Sequence, residues 1–293
     1  MKTILVLTDF SLKADDAAHY ALKLAQRIKA NLLLCNIYTV PPAEKIDQRQ
    51  KWPLQQQQEN SSNNLGALMA HLKTQMDKSE NRMGFRPEIN QYSKEGLVAE
   101  SINEIAKTHH VLMAVISMHS ANYLTTLLAG NHESAIIEKA NFPILVIPYQ
   151  VRFSDYKTIA FATNMNYTDI NLLQCLSGLA KHTDAEILIA HVADEVSDAP
   201  KQERNMKEFF NQIPSKITYP KIAYRVIKSS NIAHSIKSLT EAVEVDLLVL
   251  VHRRRNFFQK IFGGSITQSI ANRPVKPLLI FPNSKVLEVL PEF

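Results

Sequence analysis

Lys2-Thr3-Ile4-Leu5-Val6-Leu7-Thr8-Asp9 returns in altered form as Lys157-Thr158-Ile159-Ala160-Phe161-Ala162-Thr163-Asn164. Each stretch is a β-branched and aliphatic run that stops at a threonine followed by an acid or its amide. That is the pattern of a short buried strand ending in a polar turn. Further along, Val98-Ala99-Glu100-Ser101-Ile102 matches Ile232-Ala233-His234-Ser235-Ile236. Phe142-Pro143-Ile144-Leu145-Val146-Ile147-Pro148 likewise matches Lys276-Pro277-Leu278-Leu279-Ile280-Phe281-Pro282. Matches that keep their order mean one domain present twice, and a repeat of this kind fixes domain number and fold together. The copies lie further apart at their starts than at their ends. The first half therefore holds about one extra helix-and-loop's worth of residues in its middle, between its second strand and its third helix.

Outward from the repeat, short aliphatic runs alternate with longer amphipathic stretches in each half, the order of a parallel sheet with crossover helices. Strands are expected at Thr3–Leu7, Leu32–Ile37, Glu88–Tyr92, Leu112–Ile116 and Ile144–Ile147. They return at Thr158–Ala162, Glu186–His191, Tyr219–Val226, Leu247–Val251 and Leu278–Phe281. Each half then reads βαβαβαβαβ, an α/β fold of two similar doubly wound domains. In the first helix Ala14, Ala17, Ala18, Ala21, Ala25 and Ile28 follow helical spacing, while Asp15 and Asp16 occupy the opening turn, where the helix dipole favours acids. Thr39 to Asn64 reads instead as loop or disorder, because Pro41-Pro42, the run Gln55 to Gln58 and an Asn/Ser cluster are turn and linker chemistry. The domains are expected at 1–150, with a long insertion at about 39–80, and at 151–285, followed by a tail at 286–293.

A chain of 293 residues with 45% apolar content can fill two cores. Its 33 Lys and Arg against 28 Asp and Glu give a net charge of +5, a mild bias that eases the approach of an anionic partner and identifies none. Cys35 and Cys175 lie in apolar segments without zinc or redox spacing, and read as buried, reduced thiols of a cytoplasmic protein. The apolar run from Thr3 stops at Asp9, far short of a signal-peptide core, and no other run has the length of a bilayer span. A cytoplasmic protein with no membrane partner is expected.

Taken together, these features resemble the universal stress protein domain: a first strand ending in Asp-x-Ser, here Asp9-Phe10-Ser11, then parallel strands and a glycine loop after the fourth. The resemblance covers nearly the whole chain twice, and implies a five-stranded parallel sheet ordered 3-2-1-4-5 and flanked by helices in each domain. In that family the loop reads Gly-x2-Gly-x9-Gly-Ser/Thr, and ATP-binding members hold phosphates on its backbone amides. Glycines admit the phosphate oxygens, and the closing residue opens a helix N-terminus. The matching first-half positions are Ser117, Ser120, Gly130 and Asn131, with serine at both early glycine positions and Asn131 suited to cap the next helix. The resemblance thus implies an adenine nucleotide, ATP, in the first domain, near Asp9, Ile37, Ser117, Ser120, Gly130 and Asn131. In the second half the string becomes Val251, Arg254, Gly264 and Ser265, and the acid becomes Asn164. Valine and arginine side chains fill the space phosphates would need, so Asn164, Arg254, Gly264 and Ser265 mark a degenerate second site.

The chain offers no P-loop, HExxH, Gly-x-Ser-x-Gly or paired carboxylates at one strand end, so a non-catalytic protein without a metal is expected. A ligand-free interaction scaffold with protein partners is the alternative reading, and a weak ATP-hydrolysing or adenylate-handling enzyme is a third. His252-Arg253-Arg254-Arg255 reads either as a phosphate grip or as a solvated loop. Nucleic acid is not an expected partner, since no aromatic stacking pattern accompanies these arginines. In the implied order the fifth strands, Ile144–Ile147 and Leu278–Phe281, lie at sheet edges and are too apolar to face solvent. They are expected to meet across a pseudo-twofold axis, making one chain its own dimer, with further homo-oligomers left open. The competing solution covers each edge with a loop or with the tail from Val286 to Phe293.

Overall fold

Ser11 starts the first helix: its Oγ accepts a hydrogen bond from Ala14 N at 3.2 Å, supplying the cap that the free amides of a first turn require. The helix, α1 (Leu12–Ile28), ends where Lys29 turns left-handed at φ 57° and Ala30 N donates back to Ala25 O at 3.0 Å. Its buried face carries Ala14, Ala17, Ala18, Ala21 and Ala25, whose small side chains let the helix lie close on the sheet.

The computed structural model describes residues 2–38, 52–78, 84–117, 136–163, 165, 169–193, 199–228, 235, 238–240, 243–252, 276–282 and 293. The chain divides into two compact units, Met1–Ala140 with Ile147–Phe153, and Asn141–Val146 with Ser154–Phe293. The first contains β1 (Thr3–Leu7), α1, β2 (Asn31–Tyr38), α2 (Trp52–Lys78), β3 (Ile89–Glu95), α3 (Val98–Thr108), β4 (Val111–Ser117) and the short α4 (Ile136–Lys139). Its strands run in the order β3-β2-β1-β4, all parallel, with Ile4 paired to Leu32 and to Met113. Ile4, Leu5 and Val6 at the centre are fully buried, as strands covered on both faces must be.

The second unit contains β6 (Thr158–Ala162), α5 (Asp169–Thr183), β7 (Glu186–Ala193), α6 (Ala199–Lys216), β8 (Ile222–Lys228), β9 (Leu247–Val251) and β10 (Leu278–Phe281). Its order β10-β9-β6-β7-β8 is the expected 3-2-1-4-5 read from the far edge, parallel throughout. In the first half the order holds for strands 3-2-1-4. Most of its fifth strand, β5 (Ile144–Ile147), groups with the second unit, where Ile144, Leu145 and Val146 run antiparallel to Ile280, Leu279 and Leu278. Cys35 and Cys175 are buried and are not joined by a disulfide. Among the described residues no helix is long and apolar enough to cross a membrane.

One expectation is overturned. Residues 52–64, read as part of a loop, form the first half of α2, a helix of 27 residues. Pro53 stands in its first turn, where a missing N–H costs nothing, and the glutamines that follow are good helix formers. Ser61, Leu65, Leu68, Leu72 and Met76 then fall on one buried stripe at spacings of three and four. Residues 39–51 lie outside the described residues. Among the described residues each half sets one helix between its second and third strands, α2 in the first and the 18-residue α6 in the second. α2 is the longer of the two and takes up part of the surplus.

Smaller corrections have local causes. β8 begins at Ile222 rather than Tyr219, whose hydroxyl donates to Ala185 O and ties it to the turn before β7. Asp246 accepts from Lys157 N at 2.7 Å and Thr158 N at 3.0 Å and so fixes the start of β6. Asp169, in the first turn of α5, is fully buried.

Candidate functional site

β1 ends at Leu7, and the next residues make a tight polar turn. Phe10 N donates to Thr8 Oγ1 at 3.0 Å while Phe10 itself sits left-handed at φ 62°. Such a conformation costs a non-glycine residue about 1–3 kcal/mol. Ser11 N donates to Asp9 Oδ1 at 3.1 Å, which orients the carboxylate over the end of the strand.

Beside this turn the first unit carries a crevice of about 80 Å³. It opens at the carboxyl ends of β1, β2 and β4, where successive crossovers leave β1 in opposite directions, the usual ligand position in an open parallel sheet. Thr8, Asp9, Asn36 and Ser117 supply its polar lining, and Ile37, Val98, Ile116 and Ile136 its apolar walls. Val98 is delivered by a sharp turn at Gly96, φ 143°, where an added Cβ would stand 3.2 Å from Ser101 Oγ. The volume is well under the roughly 300–1,000 Å³ of a complete drug-sized pocket. The described residues thus form a floor with room for no more than part of a drug-sized molecule.

A buried hydrogen-bond chain braces this floor. Asn36 Nδ2 donates to Thr8 O at 2.8 Å, and Asn36 Oδ1 accepts from Ser61 Oγ of α2 at 2.8 Å. Ser61 Oγ also meets Ser93 Oγ of β3 at 2.7 Å. Asn36 and Ser93 are register partners on adjacent strands. β2, α2 and β3 are thereby tied to the residue that precedes Asp9.

Of the positions expected at the nucleotide site, Asp9, Ile37 and Ser117 come together in the crevice. Ser120, Gly130 and Asn131 lie outside the described residues, as do Asn164, Arg254, Gly264 and Ser265 of the second half. Reading the sequence missed Thr8, Asn36, Ser61 and Ser93. The repeat held the signal for the first two, since Thr8 and Asn36 fall opposite Thr163 and His191.

The second unit rebuilds the turn with other residues. Met165, left-handed at φ 57°, donates its N–H to Thr163 Oγ1 at 2.8 Å. Thr163 Oγ1 in turn donates to the buried Asp169 carboxylate. His191 Nδ1 lies 3.0 Å from Thr163 O, the contact that Asn36 makes in the first unit.

The electrostatics near the first site come mainly from burial. The Cys35 thiol at the crevice is pushed up to about 12 by burial, so it is an un-ionised apolar group and no nucleophile. On α1, burial raises the Asp15 carboxyl, partly offset by His19 and His71. Burial, followed by His71, lowers His19, whose ring meets the His71 ring edge-on with centroids 5.0 Å apart. Among the described residues, no group of three or more His, Cys, Asp or Glu side chains is placed to hold a metal ion.

Comparison with known proteins agrees with this architecture. The sequence profile described as the universal stress protein family matches residues 1–148 and again residues 155–282. No curated protein sequence matches the chain. Among solved structures, a universal stress protein from Archaeoglobus fulgidus has a TM-score of 0.65 at 13% identity, over 96% of each chain. A putative universal stress protein from Pseudomonas aeruginosa has a TM-score of 0.58 at 12% identity, over 99% of this chain and 96% of its own. The cytoplasmic domain of a prokaryotic cation chloride cotransporter has a TM-score of 0.51 at 10% identity, over 99% of this chain and 98% of its own. Identities this low speak to fold alone. The tandem profile match goes further, and by it the chain belongs, in both halves, to the universal stress protein family.

Proposed function

We propose that the chain is a cytoplasmic stress-response protein that binds an adenine nucleotide, ATP, in the first-unit crevice and acts by binding rather than by catalysis. The observation that carries this reading is the crevice at the carboxyl ends of β1, β2 and β4, lined by both polar and aliphatic side chains. A purine ring needs that combination, an apolar slot with a few fixed polar groups at its edge. The carboxylate of Asp9 suits an amine or hydroxyl donor, and the Asn36 amide suits a ring acceptor. Ser120, Gly130 and Asn131 are the positions the family pattern assigns to the phosphates. Protein purified without added nucleotide, then denatured, should release adenine nucleotide, and calorimetric titration of the emptied chain with ATP should give heat that Asp9→Ala abolishes. No released nucleotide and no heat would refute the ligand while leaving the fold intact. Steady ATP turnover lost in Asp9→Ala would replace the binding reading with an enzymatic one.

We further propose that the two fifth strands make the chain its own dimer. The antiparallel register of Val146 with Leu278 and of Ile144 with Ile280 supports this, because a twofold axis between like strands requires antiparallel pairing. Cleavage near Arg152 should leave halves that stay associated. Halves that separate as soluble monomers at high concentration would refute it.

A further inference from the structure

The two units present opposite hydrogen-bonding groups at one matching position. In the first, Thr8 O is a carbonyl and can only accept, so its 2.8 Å contact turns the nitrogen side of the Asn36 amide toward it. Ser61 gives its single hydroxyl proton to Asn36 Oδ1, so Ser93 must be the donor to Ser61. Donation therefore runs from Ser93 to Ser61 to Asn36 to Thr8, and flipping the amide would break two buried hydrogen bonds. One Nδ2 proton remains without a partner among the described residues, on a side chain 8% exposed that lines the crevice with Asp9. Ser61 stands one turn before Leu65 on the buried stripe of α2, where an aliphatic side chain would avoid the cost of burying a hydroxyl.

In the second unit His191 holds the matching place. Its Nδ1 faces Thr163 O at 3.0 Å, and since that carbonyl only accepts, Nδ1 carries the proton. In the neutral ring Nε2 is then an acceptor. Asn36 offers a donor where His191 offers a lone pair.

We propose that Asn36 determines ligand specificity in the first-unit crevice, its amide locked by Ser61 so that its remaining N–H donates to an acceptor atom of the bound heterocycle. Ser61 and Ser93 are positioning residues that act through it. The inference rests on the nucleotide reading above and names what that site selects: a ring nitrogen acceptor.

Calorimetric titration of the full chain with ATP and with 1-deaza-, 3-deaza- and 7-deaza-ATP tests it, since each analogue replaces one ring acceptor by C–H. The wild type should bind one analogue about tenfold more weakly than ATP, the factor of one lost hydrogen bond. Asn36→His, which installs the group the second unit already accommodates, should bind that analogue and ATP within about twofold. Ser61→Ala should narrow the ratio while still binding ATP. Equal discrimination by wild type and Asn36→His would overturn the proposal, and failure of the wild type to bind ATP would overturn it together with the nucleotide reading. A separate measurement distinguishes the two failures. In the ligand-free wild type the Asn36 side-chain amide should give two distinct, slowly exchanging proton signals by NMR, and in Ser61→Ala these should exchange at least tenfold faster. Fast exchange in the wild type would sink the lock even if ATP binds.

Discussion

Replacing Gln58 by proline separates a helix from a loop over the stretch that composition alone misreads. Gln58 is exposed on α2, six residues past its first residue and one turn before Ser61, so the substitution removes no packing. What it removes is the backbone hydrogen bond from residue 58 to the carbonyl of Leu54, and it drives the proline ring against that carbonyl. Inside a helix this costs about 3 kcal/mol. For a unit of this size, each kcal/mol lowers the melting temperature by about 2–4 °C, so Gln58→Pro should melt about 6–12 °C below wild type. Gln58→Ala, which keeps the backbone bond and improves helix propensity slightly, should stay within about 2 °C. Differential scanning calorimetry with far-ultraviolet circular dichroism reads both the shift and the lost helical signal. A proline variant that melts with the wild type would mean that this part of α2 contributes nothing to the fold, and would also remove the support for Ser61 beneath the crevice.

Acid should weaken the α1–α2 contact through His19. Burial and His71 hold its folded value below its ordinary one, so the folded chain binds that proton less tightly than the unfolded chain does. Its contribution is whole above about pH 6.5 and declines as pH falls below that value. Asp15 works in the opposite sense, because its raised carboxyl takes up a proton first in the folded chain and restores stability on descent into the carboxylate range. Urea midpoints between pH 7.5 and 5.5 should therefore fall more for wild type than for His19→Gln, and equal slopes would refute the assignment. Phe293→Ala should cost about 2–3 kcal/mol, since that residue is buried with its backbone and Cβ beside α5 at Gly178. In wild type a Cβ at residue 178 would stand 3.1 Å from Phe293 O, so Gly178→Ala should be less favourable there than in Phe293→Ala, where loss of the buried ring lets the backbone at residue 293 yield. Identical effects in both backgrounds, by chemical denaturation, would exclude the contact. Leu279→Asp, placing a charge opposite Leu145 in a fully apolar strand pair, should destabilise the second unit by several kcal/mol, and a soluble variant with unchanged urea midpoint would contradict the pairing.

Residues close together in the chain gave up their arrangement readily. The strand runs from Thr3 and Thr158 end where their polar turns begin, because burial and turn chemistry are both local signals. α2 was hidden because Gln, Asn and Ser are as common in linkers as on exposed helix faces, and only the stripe from Ser61 to Met76 tells them apart. Asp9 and Ser117 were legible as site residues from the strand ends. The Asn36, Ser61 and Ser93 chain was not, since three polar residues in separate elements carry no pattern until the register sets Asn36 against Ser93. His191 shows the same limit: it is unremarkable until the repeat places it opposite an asparagine.

The strand pair of Ile144–Val146 with Leu278–Ile280 has a consequence for synthesis. The earlier strand leaves the ribosome long before its partner exists, because the chain from Pro148 to Pro277 must be made between them. Until then one edge of wholly apolar residues stays open to any passing strand, a contact of high sequence separation that closes late and slowly. Crowded translation of this chain should therefore lean on chaperones at one moment above others, the interval between completion of β5 and emergence of β10.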